Sequence, residues 1–321
     1  MRRRTLLALL TVAAVIAPLT FPAASPAQST VPIALGLGDQ NAGTFTNASF
    51  RALRVRKVRY FVRWDAVRNR AALAQADAYV AAARRARVSV LMHISTNTFV
   101  PGRARLPTVA QYRRDVGALV RRYRPRGVRE WGTWNEANHE TQPTFRSARR
   151  AAQFYLAMRR FCRGCTIVGL DVLDQRSTRN PRIDFRRYVR DWFRAAGSPG
   201  RTMRVVGFHN YSEVNRRLTA NTRDLIRAVR RYNRRAKIWY TETGGLAEFG
   251  RSFPCNLNRQ ASRTAYMFTL ARRFRRDVKR LYPYNLAGTD CSTRFDAGLL
   301  NVDGSPRPAY TVLAREGRRL R

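Results

Sequence analysis

Residues 128–138 read VREWGTWNEAN, a short β-rich run that ends in the polar pair Asn135 and Glu136. Residues 238–245, IWYTETGG, repeat the arrangement with Glu242 at the end of the run. Longer stretches with helical spacing follow such runs, and the same alternation continues in both directions along the chain. Strands that alternate with helices in this way predict a parallel sheet.

The chain contains eight runs of this kind, which is the number of strands that closes a (β/α)8 barrel. The candidates are Pro32 to Leu37, Val58 to Arg63, Val88 to Ile94, Val128 to Thr133, Thr166 to Leu170, Val205 to His209, Ile238 to Glu242 and Lys279 to Tyr284. Because such a barrel takes roughly 250 residues, we expect one α/β domain, a (β/α)8 TIM barrel, over residues 28–321. A doubly wound open sheet is the competing fold, but no G-x-G-x-x-G opens a helix after the first strand.

The stretches between the strands carry apolar stripes at helical spacing. One stripe comprises Val109, Tyr112, Val116, Leu119 and Tyr123. This spacing places the five side chains on one helical face. The stripes therefore predict the faces that pack against the barrel, and they do not indicate cofactor sites.

Residues 1–27 have the pattern of an export signal. Arginines at 2–4 precede an apolar run over 6–19, and Ser25 and Ala27 supply the small residues of a cleavage site. The run is shorter than the roughly 20 residues that a membrane-spanning helix needs, and no later segment of the sequence is apolar enough to span a bilayer. We expect a secreted, extracellular protein without a membrane span, exported by the Sec or the twin-arginine route.

Four cysteines in an exported chain favour disulfides over metal or redox chemistry. Cys162 and Cys165 form a C-x-x-C pair, which we interpret as the closure of a helix-to-strand turn. Cys255 and Cys291 would then pair by elimination, although the sequence alone allows three connectivities.

The charge of the chain is extreme, with 62 Lys and Arg against 20 Asp and Glu and a formal net charge of +42. Only three of the basic residues are lysines, Lys57, Lys237 and Lys279. This skew favours codon bias over selection for one ligand, and the arginines are dispersed over every predicted helix. A surface covered with arginines would adhere to polyanions. Binding of a polyanion or nucleic acid is therefore a second, weaker hypothesis. No motif for specific nucleic-acid binding is present in the sequence.

In a (β/α)8 barrel the active site lies at the carboxyl ends of the strands. Glu136 follows the fourth predicted strand and Glu242 ends the seventh. A carboxylate at the end of an apolar strand is poorly solvated, which raises its pKa and suits a proton donor, whereas a neighbouring cation keeps a second carboxylate ionised. Two glutamates in opposite environments are typical of a glycosidase pair.

With these two motifs the sequence resembles the clan A glycoside hydrolases, which include the family 5 endoglucanases, over most of residues 31–321. In that clan an acid/base glutamate follows an asparagine after strand four, and a nucleophile glutamate ends strand seven. The resemblance implies that Glu136 is the acid/base and Glu242 the nucleophile of a retaining hydrolase that acts on β-linked poly- or oligosaccharides. It also implies that Asn135 contacts the sugar 2-hydroxyl.

Further positions agree with the resemblance. Arg63 ends the second strand, where the clan often places an arginine that would hold Glu242 ionised. His209 and Tyr211 resemble the family 5 His-x-Tyr pair, in which the tyrosine hydroxyl reaches the nucleophile and the histidine lines the sugar site. His93, at the end of the third strand, is interpreted either as a sugar contact or as a hydrogen-bonded barrel histidine.

Two positions depart from the clan pattern. Ala137 replaces the proline that commonly follows the acid/base glutamate, and the tryptophan expected after strand eight is absent, with Tyr282 and Tyr284 as stand-ins. Aromatic residues predicted at or beyond strand ends, which can stack on sugar rings, are Trp64, Trp134, Phe99, Tyr211 and Tyr284. Trp239 has the opposite strand parity to Glu242, so we expect it to face the helices.

Alternatives remain for the catalytic residues and for the whole chain. Glu136 or Glu242 alone could be a buried ion-pair partner in so arginine-rich a chain, and the barrel could bind carbohydrate without turnover. The sequence has no convincing metal-ligand spacing and no G-x-S-x-G motif, so we expect catalysis without a cofactor by a monomer whose partner is its carbohydrate substrate. The loops at 95–107, 172–182 and 246–260 would select the sugar and the linkage.

Overall fold

The computed structural model describes residues 32–100 and 102–320. The predicted export signal at residues 1–27 lies outside this range. Within the described part of the chain, no helix combines the length and apolarity needed to cross a membrane.

Eight parallel strands follow one another around a barrel. The first, β1, has two segments, Ala34–Leu35 and Leu37–Gly38, on either side of Gly36. The others are β2 Lys57–Arg63, β3 Ser89–Ser95, β4 Glu130–Gly132, β5 Thr166–Leu173, β6 Val205–His209, β7 Lys237–Thr243 and β8 Val278–Pro283. One segment of β1 pairs with β2 and the other with β8, so the sheet closes on itself. The predicted (β/α)8 TIM barrel is confirmed.

Helices cover the outside of the barrel and connect its strands. The long ones are α2 Arg70–Arg85, α3 Val109–Tyr123, α4 Ala148–Phe161, α5 Phe185–Ala196, α8 Ala220–Arg230, α9 Leu257–Arg273 and α10 Pro308–Arg318. Short helices are α1 Ala48–Ala52, α6 Ser198–Arg201 and α7 Tyr211–Asn215, and 3-10 turns lie at Ala42–Thr46, Ala66–Arg68 and Pro143–Arg146.

Helix α3 shows why the sequence forms these elements. Thr108 accepts a hydrogen bond from the backbone of Gln111, whose side chain bonds back to Thr108, and this capping box starts the helix. The apolar stripe from Tyr112 to Tyr123 is buried, as its spacing predicts. Burial of such a stripe, more than the intrinsic helix propensity, stabilises a helix of this length.

A β-bulge in β7 decides which of its side chains face the barrel interior. Gly207 pairs with Trp239 and His209 pairs with Glu242, so β7 has one extra residue between these positions. An extra residue reverses the alternation of side chains beyond it. Trp239 packs in a cluster with side chains of four other strands, which is possible only inside the barrel. The expectation that Trp239 faces the helices is therefore wrong.

Two disulfides brace the connections, and both join the cysteines in the expected pairs. Cys162–Cys165 closes the turn between α4 and β5. Cys255–Cys291 joins the loop after β7 to the loop after β8. The same two loops are also linked by an antiparallel pair of two-residue strands, Glu248–Phe249 and Phe295–Asp296. These loops therefore form one braced wall above the carboxyl ends of the strands.

Candidate active site

A layer of charged and polar side chains fills the barrel just below the carboxyl ends of its strands. Arg59, His93, Asp171 and His209 come from β2, β3, β5 and β6, and none of them has exposed surface. Buried charges are tolerated only when they are paired and hydrogen-bonded. These four groups must therefore satisfy one another and the glutamates above them.

Two glycines make room for this layer. A Cβ atom on Gly132 would lie 2.1 Å from the ring of His93, and one on Gly207 would lie 2.0 Å from Asp171 Oδ1. Both distances are far inside van der Waals contact. Any larger residue at either of these two positions would displace the charged layer.

Glu242 receives hydrogen bonds from two side chains. Arg59 Nη1 donates to Oε2 at 2.7 Å, and the Tyr211 hydroxyl donates to Oε1 at 3.1 Å. The side chain of Glu242 is 12% exposed, so one edge of the carboxylate remains open to the cleft. The expected contact between the Tyr211 hydroxyl and Glu242 is present in the structure.

An arginine bonds to Glu242, as expected, but it is Arg59 and not the predicted Arg63. Arg63 bonds to Asp65 through Nε at 2.6 Å and Nη2 at 3.0 Å, whereas Arg59 reaches Glu242. Arg59 and Arg63 lie four residues apart on β2, so their side chains are on the same face of the strand, and Arg59 is farther from the carboxyl end of the barrel. The assignment of this contact to Arg63 was wrong, because the side chain that reaches Glu242 comes from the inner part of β2 and not from its end.

Glu136 lies on a strained turn directly after β4. Its φ is +41°, a left-handed conformation that is rare for a residue with a side chain. The backbone N–H of Glu136 donates to Asp171 Oδ2 at 3.3 Å, and His209 Nδ1 lies 3.0 Å from Glu136 Oε1. Strain of this kind persists only where neighbouring groups enforce it. Here Asp171 and His209 hold the turn.

Asn135 points into the same network. Its side-chain oxygen accepts a hydrogen bond from Arg59 Nη2, and the residue is buried. Asn135 lines the cleft next to Glu136, which is the position that a contact with substrate requires.

The distance between the two glutamates bears on the chemistry they can perform. The oxygens Glu136 Oε1 and Glu242 Oε2 lie at most about 6.7 Å apart, since His209 Nδ1 is 3.0 Å from one and 3.7 Å from the other. Retaining glycosidases separate their carboxyl groups by about 5–5.5 Å, and inverting ones by about 6.5–9.5 Å. The upper limit of about 6.7 Å for these two oxygens excludes most of the inverting range and is compatible with a retaining pair.

His209 is held as a cation. Burial disfavours the charged ring, but the negative charges of Asp171 and Glu242 outweigh this cost and raise the pKa of His209 to about 10. His209 Nε2 lies 3.0 Å from Asp171 Oδ2. Burial also opposes ionisation of Asp171, yet His209 holds the pKa of that carboxyl well below its usual range. The two groups form a buried ion pair.

The environment of Glu136 differs from the expected one. Burial acts to raise the pKa of Glu136, but the hydrogen bond and the positive charge of His209 lower it below its ordinary value. The expectation that an apolar strand end raises this pKa was incomplete. It ignored a cationic histidine that comes from β6, a strand far away in the sequence.

His93 is a barrel histidine and does not reach the cleft. Its Nδ1 accepts from Arg59 Nε at 3.2 Å, and its Nε2 lies 3.5 Å from Asp171 Oδ2. Burial lowers the pKa of His93 to about 3, so the ring is neutral. Of the two interpretations of His93, the structure supports the hydrogen-bonded one.

The cleft above the glutamates has a volume of about 860 Å³. Tyr211 and Tyr284 line it, but Trp134 does not. Trp134 is buried against Phe154 of α4 and donates to Gln142 at 3.0 Å. Its expected role in binding substrate is therefore wrong: the chain turns sharply at residues 134–136, and the indole points outward, towards α4.

Comparisons with known proteins place the fold among glycoside hydrolase barrels. No family model matches the chain, and no curated protein is significantly similar to it. A xylanase from Paenibacillus barcinonensis superposes with a TM-score of 0.65 at 12% identity, over 91% of this chain and 99% of that one. A family 39 glycoside hydrolase from Bacteroides cellulosilyticus gives a TM-score of 0.60 at 15% identity, over 90% of this chain.

The chain spans 64% of the length of that family 39 enzyme. An exo-β-1,4-mannosidase from an Opitutaceae bacterium gives a TM-score of 0.59 at 12% identity, over 91% of this chain and 62% of that one. At such low identities the likenesses establish the fold. The resemblance to the clan A barrels is confirmed at that level.

Among the described residues, one group of side chains has potential metal-ligand atoms that lie close together. It consists of Glu248, Cys255 and Cys291. Both cysteines are joined in the disulfide, which leaves a single carboxylate.

Two members of the network were missed in the sequence, Arg59 and Asp171. The parity of β2 was a usable signal for Arg59, because Arg59, Phe61 and Arg63 alternate with apolar residues. Asp171 lay beyond the predicted end of the fifth strand at Leu170. The structure extends β5 to Leu173, which brings Asp171 inside the barrel.

Proposed function

We propose that this protein is a secreted retaining β-glycoside hydrolase, with Glu242 as nucleophile and Glu136 as acid/base. One observation carries the proposal. His209 bridges two carboxylates at the carboxyl ends of β4 and β7 at distances of 3.0 and 3.7 Å, so both line one cleft with these oxygens at most about 6.7 Å apart, which is compatible with a retaining pair.

In the first step, Glu242 attacks the anomeric carbon while the bond to the leaving oxygen breaks. Arg59 and Tyr211 fix the orientation of the attacking carboxylate, each through one oxygen. Holding a nucleophile in near-attack geometry removes much of the entropic barrier. Glu136 gives its proton to the leaving oxygen, and a glycosyl ester on Glu242 remains.

The proton for this step is held by the Glu136 and His209 pair. In the free enzyme the pair shares one proton, which His209 Nδ1 directs at Glu136 Oε1. A bound sugar displaces water from Glu136 and disfavours its charge. The shared proton then moves to the carboxylate, from which it passes to the leaving group.

In the second step, water attacks the anomeric carbon and the ester bond to Glu242 breaks. Glu136, now ionised, takes the proton of the water and passes it back to the pair. The lowered pKa of Glu136 favours the ionised carboxylate, which is the form that can accept this proton. The product keeps the anomeric configuration of the substrate.

Three features support the choice of sugar class and compartment. The superposed structures include xylanases and an exo-β-1,4-mannosidase, so β-linked xylosides, mannosides and glucosides are the substrates to test first. The pattern of residues 1–27 and the two disulfides support secretion.

The test is turnover of β-glycosides by the wild type, Glu136→Gln and Glu242→Gln. We expect Glu242→Gln to lower kcat by roughly 10³-fold or more, since it removes the nucleophile, and Glu136→Gln to lower it by about 10²- to 10⁴-fold. Glu140→Gln is the matched control, because Glu140 is exposed and only four residues beyond Glu136. Equal turnover in all four proteins would contradict the mechanism. Binding of glycosides without turnover by the wild type would favour a carbohydrate-binding barrel.

A further inference from the structure

Many of the side chains that line the cleft above the catalytic pair are apolar. Its walls include phenyl and aliphatic side chains from six of the strands or the segments that follow them, namely Phe61, Phe99, Leu173, Leu218, Leu246, Phe249, Phe253 and Phe295. Among the described residues, no tryptophan lines it. A phenyl ring can stack on a sugar face, but an aliphatic side chain neither stacks nor bonds to hydroxyl groups.

The apolar surface is continuous and runs from one glutamate to the other. Leu173, Phe253 and Phe295 pack on a cluster that contains Tyr211 and Leu246. Tyr211 bonds to Glu242. The surface therefore begins beside the nucleophile.

At its other end, the surface reaches the acid/base. The backbone of Leu173 is bonded in both directions to Asn138, two residues beyond Glu136, at 2.8 and 3.0 Å. The leaving group of a substrate departs beside the acid/base, because that residue protonates its oxygen. Leu173 thus lies on the side of the cleft where the leaving group lies.

The surface continues to the rim, where large apolar side chains stand in solvent. Leu218 is 43% exposed, Phe249 is 37% exposed and Phe99 is 45% exposed. Phe249 meets Phe295 edge to face with ring centroids 6.1 Å apart, so the rim joins the inner wall. Contiguous exposed apolar surface in a cleft marks a binding site for an apolar group.

Several polar groups in the same walls are already engaged by the protein. Arg176 bonds to Asp224 at 2.6 Å, and Asn221 bonds to Asp174 at 3.2 Å. The Arg216 guanidinium lies 5.1 Å from the centre of the Phe253 ring. A sugar hydroxyl placed against these three groups would compete with the contacts that they already make, which costs free energy.

We infer, on the basis of the proposed glycosidase function, that the group released by the enzyme is an apolar alcohol, alkyl or aryl, and not a further sugar. The sugar occupies the polar floor of the cleft at Asn135, Glu136 and Glu242. The aglycone lies along the apolar surface from Leu173 to the rim.

A series of alkyl β-glycosides tests this inference. Primary alcohols of different length are similar as leaving groups, but their apolar surface area increases with chain length. We expect kcat/KM to rise about two- to fourfold per methylene from the methyl to the octyl β-glycosides of glucose, xylose or mannose. The octyl glycoside should also exceed the matching disaccharide. A flat alkyl series, with kcat/KM rising from disaccharide to longer oligosaccharide, would overturn the inference.

Surface variants locate the effect in the cleft. Leu218→Ser and Phe249→Ser should each lower the ratio of octyl to methyl kcat/KM severalfold. Val302→Ser is the matched control, since Val302 is 69% exposed and does not line the cleft. Equal ratios in all three variants and the wild type would contradict the assigned surface.

Binding to the full-length Glu242→Gln variant separates this inference from the proposed function. Calorimetry with octyl and methyl β-glucoside, below the micelle concentration, should show at least tenfold tighter binding of the octyl compound. Equal affinities would overturn the apolar site. Tight octyl binding without turnover of any glycoside by the wild type would refute the hydrolase and leave the apolar site in place.

Discussion

Arg59 joins Glu242, Asn135 and His93 through a single buried guanidinium. Only a planar group with several donors in a fixed fork can make these contacts at once. Arg59 and His209 both form ion pairs with Asp171. The Oδ2 atom of Asp171 lies 4.0 Å from Arg59 Nη2 and 3.0 Å from His209 Nε2. These contacts hold Glu242 and Asn135 in place from below.

Replacement of Arg59 by lysine keeps the charge but loses the fork. Loss of one hydrogen bond to a charged group costs about 1.5–3 kcal/mol, so we expect kcat/KM for Arg59→Lys to fall about 10- to 150-fold. Arg63→Lys is the matched control on the same strand, and it should change kcat/KM less than threefold. Steady-state kinetics on folded variants measures both, and a larger loss in Arg63→Lys would contradict the assignment of Arg59.

Asp171 acts through His209, and its effect is visible in a pH profile. Its negative charge helps to raise the pKa of His209 to about 10, so the shared proton stays on the pair until alkaline pH. Asp171→Asn removes this charge, and the pKa of His209 should then fall. We expect the alkaline limb of kcat/KM to move at least about one pH unit lower.

A merely structural role for Asp171 would lower activity at all pH values without moving this limb. NMR titration of the His209 ring gives an independent measurement. An unchanged His209 pKa in Asp171→Asn would contradict the positioning role.

The loops after β7 and β8 work as one element, because the Cys255–Cys291 disulfide and a short antiparallel pair connect them. Buried Arg307 strengthens the connection, with bonds of 2.9 and 3.0 Å to Asp296 and 3.0 Å to Asp290. Phe249, Phe253 and Phe295 of the cleft wall belong to these loops. The shape of that wall therefore depends on the brace.

Removal of each disulfide should have a different effect. Cys255→Ser with Cys291→Ser opens a bridge with a sequence separation of 36, and we expect the free energy of unfolding to fall by about 2–4 kcal/mol. KM for apolar glycosides should also rise severalfold. Cys162→Ser with Cys165→Ser is the control, because its separation is only 3, and it should cost about 1–2 kcal/mol without a change in KM. Equal KM values for the two double variants would contradict the role of the wall.

Strands and helices were predictable because each buries one face or stripe, which leaves a period in the sequence. β6, Val205–His209, was predicted with its exact bounds. The bulge in β7 cannot be recognised in the sequence, because the same run of apolar residues could form a strand with or without one extra residue. For that reason the direction of Trp239 was predicted wrongly, while the position of Glu242 at the strand end was predicted correctly.

For the molecule as a whole, the sequence indicated the two glutamates and the barrel that brings them together. It indicated His93 and His209 as separate residues, but it missed Arg59, Asp171 and the contacts that join the four, because they lie on strands that are more than thirty residues apart. Pairings of this kind depend on barrel closure and not on local pattern. The net charge of +42 concerns solubility and non-specific adhesion, and the central site does not depend on it.

The central claim is that Glu136 and Glu242 act as a retaining pair, and the configuration of the first-formed product tests it most directly. Proton NMR of the anomeric signal during early hydrolysis of a β-glycoside distinguishes the outcomes before the sugar mutarotates. The account predicts that the β-anomer appears first and the α-anomer only later. Initial appearance of the α-anomer would show inversion and would contradict double displacement through Glu242.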